Sequence, residues 1–359
     1  MPLYQGTKIK IELSGGSHGE YVGGRLWGLP AGEHIDLTRL QGFMDRRAPG
    51  RYAFSTARRE SDLPRFLSGL TQGVTDGGVL ELRIQNEDVR RGDYDELKST
   101  PRPGHADLGA WYKYGSLEPA RGGGQFSGRM TAPLCALGAA AAQILERRGV
   151  EIFSHALSIG GERDVPFDRL ELSPQLRERI EANPLPVISR PAGERMLGRI
   201  ESAARAGDSV GGIVECAVTG FPAGLGGPLF DGIEGRLAAL LFAIPAVKGV
   251  DFGAGYGAAL MSGSENNDEI AVHDGKPYML TNNAGGILGG ISTASPIIFT
   301  VAFKPTPSIS REQRSVELIE MRERTVRVNG RHDACIVPRA AAAVEATAAL
   351  ALLDILMEE

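Results

Sequence analysis

Arg102, His105, Lys113, Arg121 and Arg129 surround a triple glycine, Gly122–Gly124, within residues 101–133. From Ala132 an Ala-rich apolar run follows, and its composition predicts a buried helix. Glycine takes φ > 0 at little steric cost and can turn its N–H toward a ligand. A helix start adds unpaired N–H donors and partial positive charge. A loop of this make-up, feeding a helix N-terminus, suits a phosphate. Three glycines can also be a plain tight connection, but such a turn has no use for the arginines and the histidine. The loop does not read G-x-x-x-x-G-K-S/T, and no G-x-G-x-x-G lies between strand and helix. Neither a nucleotide P-loop nor a dinucleotide fold is indicated.

Further clusters share this character. Ser17 and His18 lie in S-G-G-S-H-G-E, residues 14–20, directly after an alternating strand pattern at Lys8–Leu13. Arg46, Arg47, Arg51, Arg58 and Arg59 crowd one short stretch without a lysine, and arginine binds planar oxyanions bidentately. Thr281–Ser292 forms a second glycine-rich loop with Gly285, Gly286, Gly289 and Gly290, able to bring backbone close to a flat ligand. Lys304, Thr306 and Ser308 follow the strand pattern Ile297–Phe303 and suit a second phosphate. Arg331, His332, Asp333 and Arg339 precede a predicted helix, Ala340–Met357. His18 and His105 are candidate proton donors and Asp333 a candidate base. No metal-ligand spacing is present, so metal hydrolysis is not indicated. The residues describe an enzyme of a multiply anionic phospho-substrate, with room for a phosphorylated cofactor. They do not specify the reaction.

The elements that must position these groups come from patterning. The 359 residues allow one large domain or two ordinary ones. Strands are expected at Tyr21–Leu29, Phe66–Leu70, Gly78–Gln85, Glu151–Ile159 and Gly211–Val218. Helices are expected from Asp36 or Thr38 to Met44, from Ala132 to Arg148 and over Ile233–Phe242. Residues 161–208 read as a peripheral insertion with little chemistry. Lysine and arginine number 39 against 44 acidic residues, a net charge of −5, so nucleic acid is not an expected partner. Cys135, Cys216 and Cys335 lack a C-x-x-C pattern. With no leader and no membrane-length apolar run, the expectation is a reduced, cytoplasmic protein.

Seven ordered motifs resemble the chorismate synthase family: S-H-G at 17–19, D-R-R-x-P-G at 45–50, R-P-G-H-A-D at 102–107, R-G-G-G at 121–124, A-G-G-I-L-G-G-I-S at 284–292, K-P-T-P-S-I at 304–309 and G-R-H-D at 330–333. The resemblance covers nearly the whole chain. It implies an α+β fold, a β-α-β sandwich with helices packed between antiparallel sheets, as one domain over 1–359 and typically a homotetramer. The implied activity is a lyase, converting 5-enolpyruvylshikimate 3-phosphate to chorismate and phosphate by 1,4-anti elimination. This is the last step of the shikimate pathway and requires reduced FMN. Whether NADPH reduces that flavin on the chain itself is left open by the sequence. The resemblance carries catalytic roles to His18, His105 and Asp333. Substrate contacts fall to Ser17, Arg47, Arg51, Arg102, Arg129 and Arg331. Flavin contacts fall to Ser127, Ala246, Gly289, Lys304, Pro305, Thr306, Pro307 and Ser308, with Arg331 nearby.

The sequence departs from the family pattern in places. Gly16 stands where Glu is common, Gln125, Phe126 and Met130 replace an Arg, a Ser and a Glu, and Pro245 and Asn283 stand where Asn and His are common. A second reading is therefore a flavin- or phospholigand-binding homologue that has lost catalysis. A nucleic-acid module is a third, opposed by net acidity and few aromatics near the arginines.

Overall fold

Each half of the chain lays down an antiparallel sheet and then an alanine-rich helix, and the two helices lie between the sheets. This is a computed structural model, describing residues 2–52, 58–88, 99–173, 175–328 and 332–358, and of Arg121 the backbone alone. The first sheet orders its strands Leu3–Gln5, Lys10–Gly15, Tyr21–Trp27, Leu80–Gln85 and Arg65–Ser68. The second orders Val247–Phe252, Ile297–Phe303, Gly212–Thr219, Glu151–Ile159 and Glu162–Arg163. In the first sheet, Leu80, Leu82 and Ile84 turn inward while Arg83 and Gln85 are exposed, the period-two pattern of a half-buried strand.

Thr131–Glu146 packs against the first sheet and Val337–Leu356 against the second, and the two helices press on each other. Their small residues permit that approach. A Cβ on Gly138 would collide with the Ala346 carbonyl and methyl, so the two backbones nearly touch there. The Val337–Leu356 helix is buried almost throughout, which explains its uniformly apolar sequence. Its few polar groups are satisfied. Asp354 accepts from the N–H groups of Thr7, Lys8 and Ile9 at 3.1, 2.7 and 2.7 Å. Glu345 takes both Nη atoms of Arg46, at 2.7 and 2.5 Å. All three cysteines are buried and free of disulfides, and burial pushes the Cys135 and Cys335 thiols up to about 12.

Glu151–Ile159 is buried on both faces. Ser154 meets Ala341 and Glu345 of the long helix. Phe153 on the alternate face packs with Phe167 and Ile180. Residues 161–208, expected to be peripheral, thus cover the outer face of the second sheet, with helices Gln175–Ala182 and Arg190–Arg205. Beneath them His155 is fully buried between Asp164 at 3.1 Å and Glu215 at 2.8 Å. Burial opposes charge on this ring, but the two carboxylates outweigh it and raise its pKa, while Asp164 is lowered. A raised histidine gives stability that is complete below its unfolded value of about 6.5 and is lost as pH rises through the folded value. The Asp164 share behaves oppositely and disappears as pH falls below the ordinary carboxylate range. His155→Gln should therefore melt below the native chain at about pH 6, with the gap narrowing as pH rises through the ring's raised value. A pH-independent gap in thermal melts would mean that the ring is not charged.

Candidate functional site

Both central helices begin at the wall of one cavity of about 560 Å³. Thr131 comes from the start of one, and Ile336, Arg339 and Ala340 from the start of the other. Arg47 enters from the last turn of helix Leu37–Arg47, which Asp36 caps by accepting from the N–H of Thr38 and Arg39. Phe303, Lys304, Thr306, Pro307 and Ser308 enter past the end of strand Ile297–Phe303. Six cationic side chains line the space among the described residues, Arg47, Arg58, Arg102, Arg129, Lys304 and Arg339, against the carboxylates of Glu60, Asp88 and Asp333. Helix N-termini add to this field. The size is that of a small-molecule site.

The arginines are held from behind. Asp62, buried and at φ 49°, receives Arg47 Nη1 on one oxygen and Arg129 Nη1 on the other. Arg47 Nε also donates to Thr131 Oγ1 at 3.2 Å, and Arg129 Nε to Asn86 Oδ1 at 2.9 Å. Burial works against charge on Asp62, but the two guanidiniums hold its pKa below the ordinary value. Arg58 Nε donates to Glu60 at 2.6 Å and Arg339 Nη1 to Asp333 Oδ2 at 2.6 Å.

Both candidate histidines line the cavity. Ser17 Oγ donates to the Gly122 carbonyl at 3.0 Å and lies 2.9 Å from His18 Nδ1, so it accepts from that nitrogen and leaves Nε2 as the cavity-side atom. His105 Nδ1 is 2.5 Å from Asp107 Oδ1 and 3.0 Å from Arg102 Nη2. Burial lowers the His105 pKa, with Arg102 and Lys304 pushing the same way and Asp107 pulling back. Thr306 Oγ1 is buried without a hydrogen-bond partner among the described residues, beside Lys304 and Ser308 in the lining. An orphaned hydroxyl at a cationic wall is a place for a ligand oxygen.

The structure thus brings together His18, His105, Asp333, Arg47, Arg102, Arg129, Ser127, Ala246, Lys304, Thr306, Pro307 and Ser308 from distant parts of the chain. It places others elsewhere. Ser17 is buried behind His18. Arg51, in the bend after that helix, lines a second cavity with Arg46, Tyr52 and Glu345. Pro305 and Gly289 are not in the lining. The Thr281–Ser292 glycines mostly answer to their own chain. A Cβ on Gly285, Gly286 or Gly290 would strike backbone at Gly253, Pro296 or Gly227, and only at Gly289 is the space open. Arg331 lies outside the described residues. The sequence reading singles out neither Asp107 nor Asp62 as a functional group. Only the density of arginines around them hinted that buried counter-charges were needed.

The comparisons with known proteins decide the family. The family model described as chorismate synthase matches residues 9–357. The chain belongs to the chorismate synthase family. It is accordingly an enzyme of the lyase class. A chorismate synthase from Lancefieldella parvula is 43% identical over 362 residues, covering 98% of this chain and 95% of that one. One from Korarchaeum cryptofilum is 44% identical over 352 residues, covering 98% and 96%. A crystal structure of a chorismate synthase superposes with a TM-score of 0.78 at 27% identity, covering 99% of this chain and 93% of the other. The α+β sandwich expected from the chorismate synthase motifs is the one observed. No helix among the described residues is long and apolar enough to cross a membrane.

Proposed function

We propose that this chain converts 5-enolpyruvylshikimate 3-phosphate to chorismate and phosphate by 1,4-anti elimination, the last step of the shikimate pathway, with reduced FMN bound in the same cavity. The observation that carries the reading is the convergence of His18, His105, Asp333 and six cations on one cavity in a chorismate synthase chain. The cavity fits a flavin nucleotide in its chemistry. The orphaned Thr306 hydroxyl, Lys304 and Ser308 can hold polar flavin or phosphate oxygens, and Ala246, Ile244 and Phe126 offer apolar surface.

Reduced FMN, when bound, lends electron density to the breaking C–O bond and recovers it afterwards. The chain supplies charge and protons. Arg47, Arg129 and Arg102 face the substrate's phosphate and carboxylates, and the family motif G-R-H-D gives Arg331 the same task. His18, held by Ser17 at Nδ1, presents Nε2 to protonate the departing phosphate. His105 keeps a proton beside the flavin, and Asp333, held by Arg339, takes part in removing the ring proton. Ser127 and Pro307 complete the flavin contacts in this reading. A homotetramer in the cytoplasm is part of the same proposal. Exposed Phe230 and Leu260, 96% and 91% accessible, are apolar surface that a subunit contact would cover. A monomer in sedimentation equilibrium would remove the tetramer.

The test is anaerobic. Protein, dithionite-reduced FMN and substrate are mixed and chorismate is followed by absorbance, with either NADPH or no further reductant in parallel. Turnover is expected, and His105→Ala should lower it about 10²–10⁴-fold. Flavin binding without turnover would instead favour the impaired homologue that the altered Gln125–Met130 loop brings into view. Turnover unchanged in His105→Ala would remove that ring from the mechanism.

A further inference from the structure

We propose that Asp107 is a positioning residue: it decides which nitrogen of His105 carries the proton and which one faces the ligand. The role given to His105 rests on the function proposed above, but the geometry around Asp107 does not.

Asp107 opens the helix Asp107–Tyr114 and is buried. Its carboxylate gathers four donors. Arg102 gives its backbone N at 2.9 Å, Nε at 2.7 Å and Nη2 at 2.8 Å, and His105 gives Nδ1 at 2.5 Å. A carboxylate with this company is ionised, and it can bond Nδ1 only as N–H. The neutral ring therefore carries its proton on Nδ1 and presents the Nε2 lone pair to the cavity, while the charged ring presents Nε2–H.

Arg102 makes this a contest. Its Nη2 lies 3.0 Å from the same Nδ1 and can only donate. It could bond a bare Nδ1, and that would impose the opposite tautomer, with the proton on Nε2. With Asp107 present, Nη2 is instead spent on Asp107 and on the Ala120 carbonyl at 3.1 Å. Lys304 also acts on the ring, and its Nζ donates to the Gly104 carbonyl one residue away. Two cations and burial disfavour the imidazolium, and the Asp107 carboxylate acts on the ring against them. Removing its charge should both invert the tautomer and lower the ring's proton affinity.

The experiment is a ¹⁵N titration of histidine-labelled full-length protein without flavin, His105 being assigned from His105→Gln. In the native chain the neutral ring should be the Nδ1–H tautomer. In Asp107→Asn it should shift to Nε2–H, with its titration midpoint lower by about one pH unit or more. Under the anaerobic assay the alkaline limb of kcat should move down by the same amount, with much less change in KM. An Nε2–H tautomer in the native chain overturns the proposal even if the variant does not fold. An unchanged tautomer and midpoint in a folded Asp107→Asn also overturns it. If the tautomer inverts while the native chain makes no chorismate, the positioning role stands and the proposed function falls.

Discussion

Asp62→Ala is expected to destabilise the protein by about 3–5 kcal/mol, the usual range for removing one partner of a buried ion pair. The reason lies in the two guanidiniums left behind. Arg47 and Arg129 are each almost fully buried, and Asp62 receives one Nη from both. Glu60 already pairs with Arg129 Nη2 at 3.5 Å and is shared with Arg58, and Arg47 retains only Thr131 among its side-chain partners in the described residues. Two cations side by side in a low-dielectric wall repel each other once the carboxylate is gone. Urea denaturation measures the loss. A change below about 1 kcal/mol would mean that both arginines relax into cavity water, and that Asp62 is not what holds them in place. Asp62→Asn should lie between the native chain and Ala, because the amide oxygen still accepts one hydrogen bond while the charge is lost.

Gly122→Ala should lower turnover by about 10²–10⁴-fold, the size of a lost general acid, while the protein stays folded. Gly122 has φ +59°, where an alanine costs about 1–2 kcal/mol. The larger consequence is steric. A Cβ there would overlap the His18 ring at Cε1 and Nδ1, so the imidazole must leave. Its departure also breaks the bond from Nδ1 to Ser17, whose hydroxyl is anchored on the Gly122 carbonyl. The variant should keep a far-ultraviolet circular dichroism spectrum like that of the native chain. Turnover within about threefold of the native rate would show that His18 is not the proton donor.

This second case shows how far the sequence could be read. Gly122–Gly124 stood out as a phosphate cradle because glycines before a helix can expose N–H groups. All three do adopt positive φ. At Gly122 and Gly124, however, the missing side chain is required by the chain itself, at the His18 ring and at the Pro119 carbonyl. The loop positions an imidazole, and Gly122 and Gly123 also line the cavity. Arg46 and Arg51 show the converse. A dense run of arginines looked like one anion-binding cluster, yet helix geometry divides neighbours between two cavities, so Arg47 meets the proposed substrate space and Arg46 meets Glu345.

By itself the sequence determined the elements and the chemical inventory. Strands Glu151–Ile159 and Ile297–Phe303, the alanine-rich helices and the ordered arginine, histidine and aspartate motifs depend on local periodicity and residue type, and these are written along the chain. Tertiary structure alone decided which charges neutralise each other and which nitrogen of each histidine faces the cavity. Asp62 reaches Arg129 across 67 positions, and Ser17 reaches Gly122 across 105. Hydrogen bonds and burial depend on distance in space, and no local pattern encodes a distance that only the packing of two sheets on two helices creates.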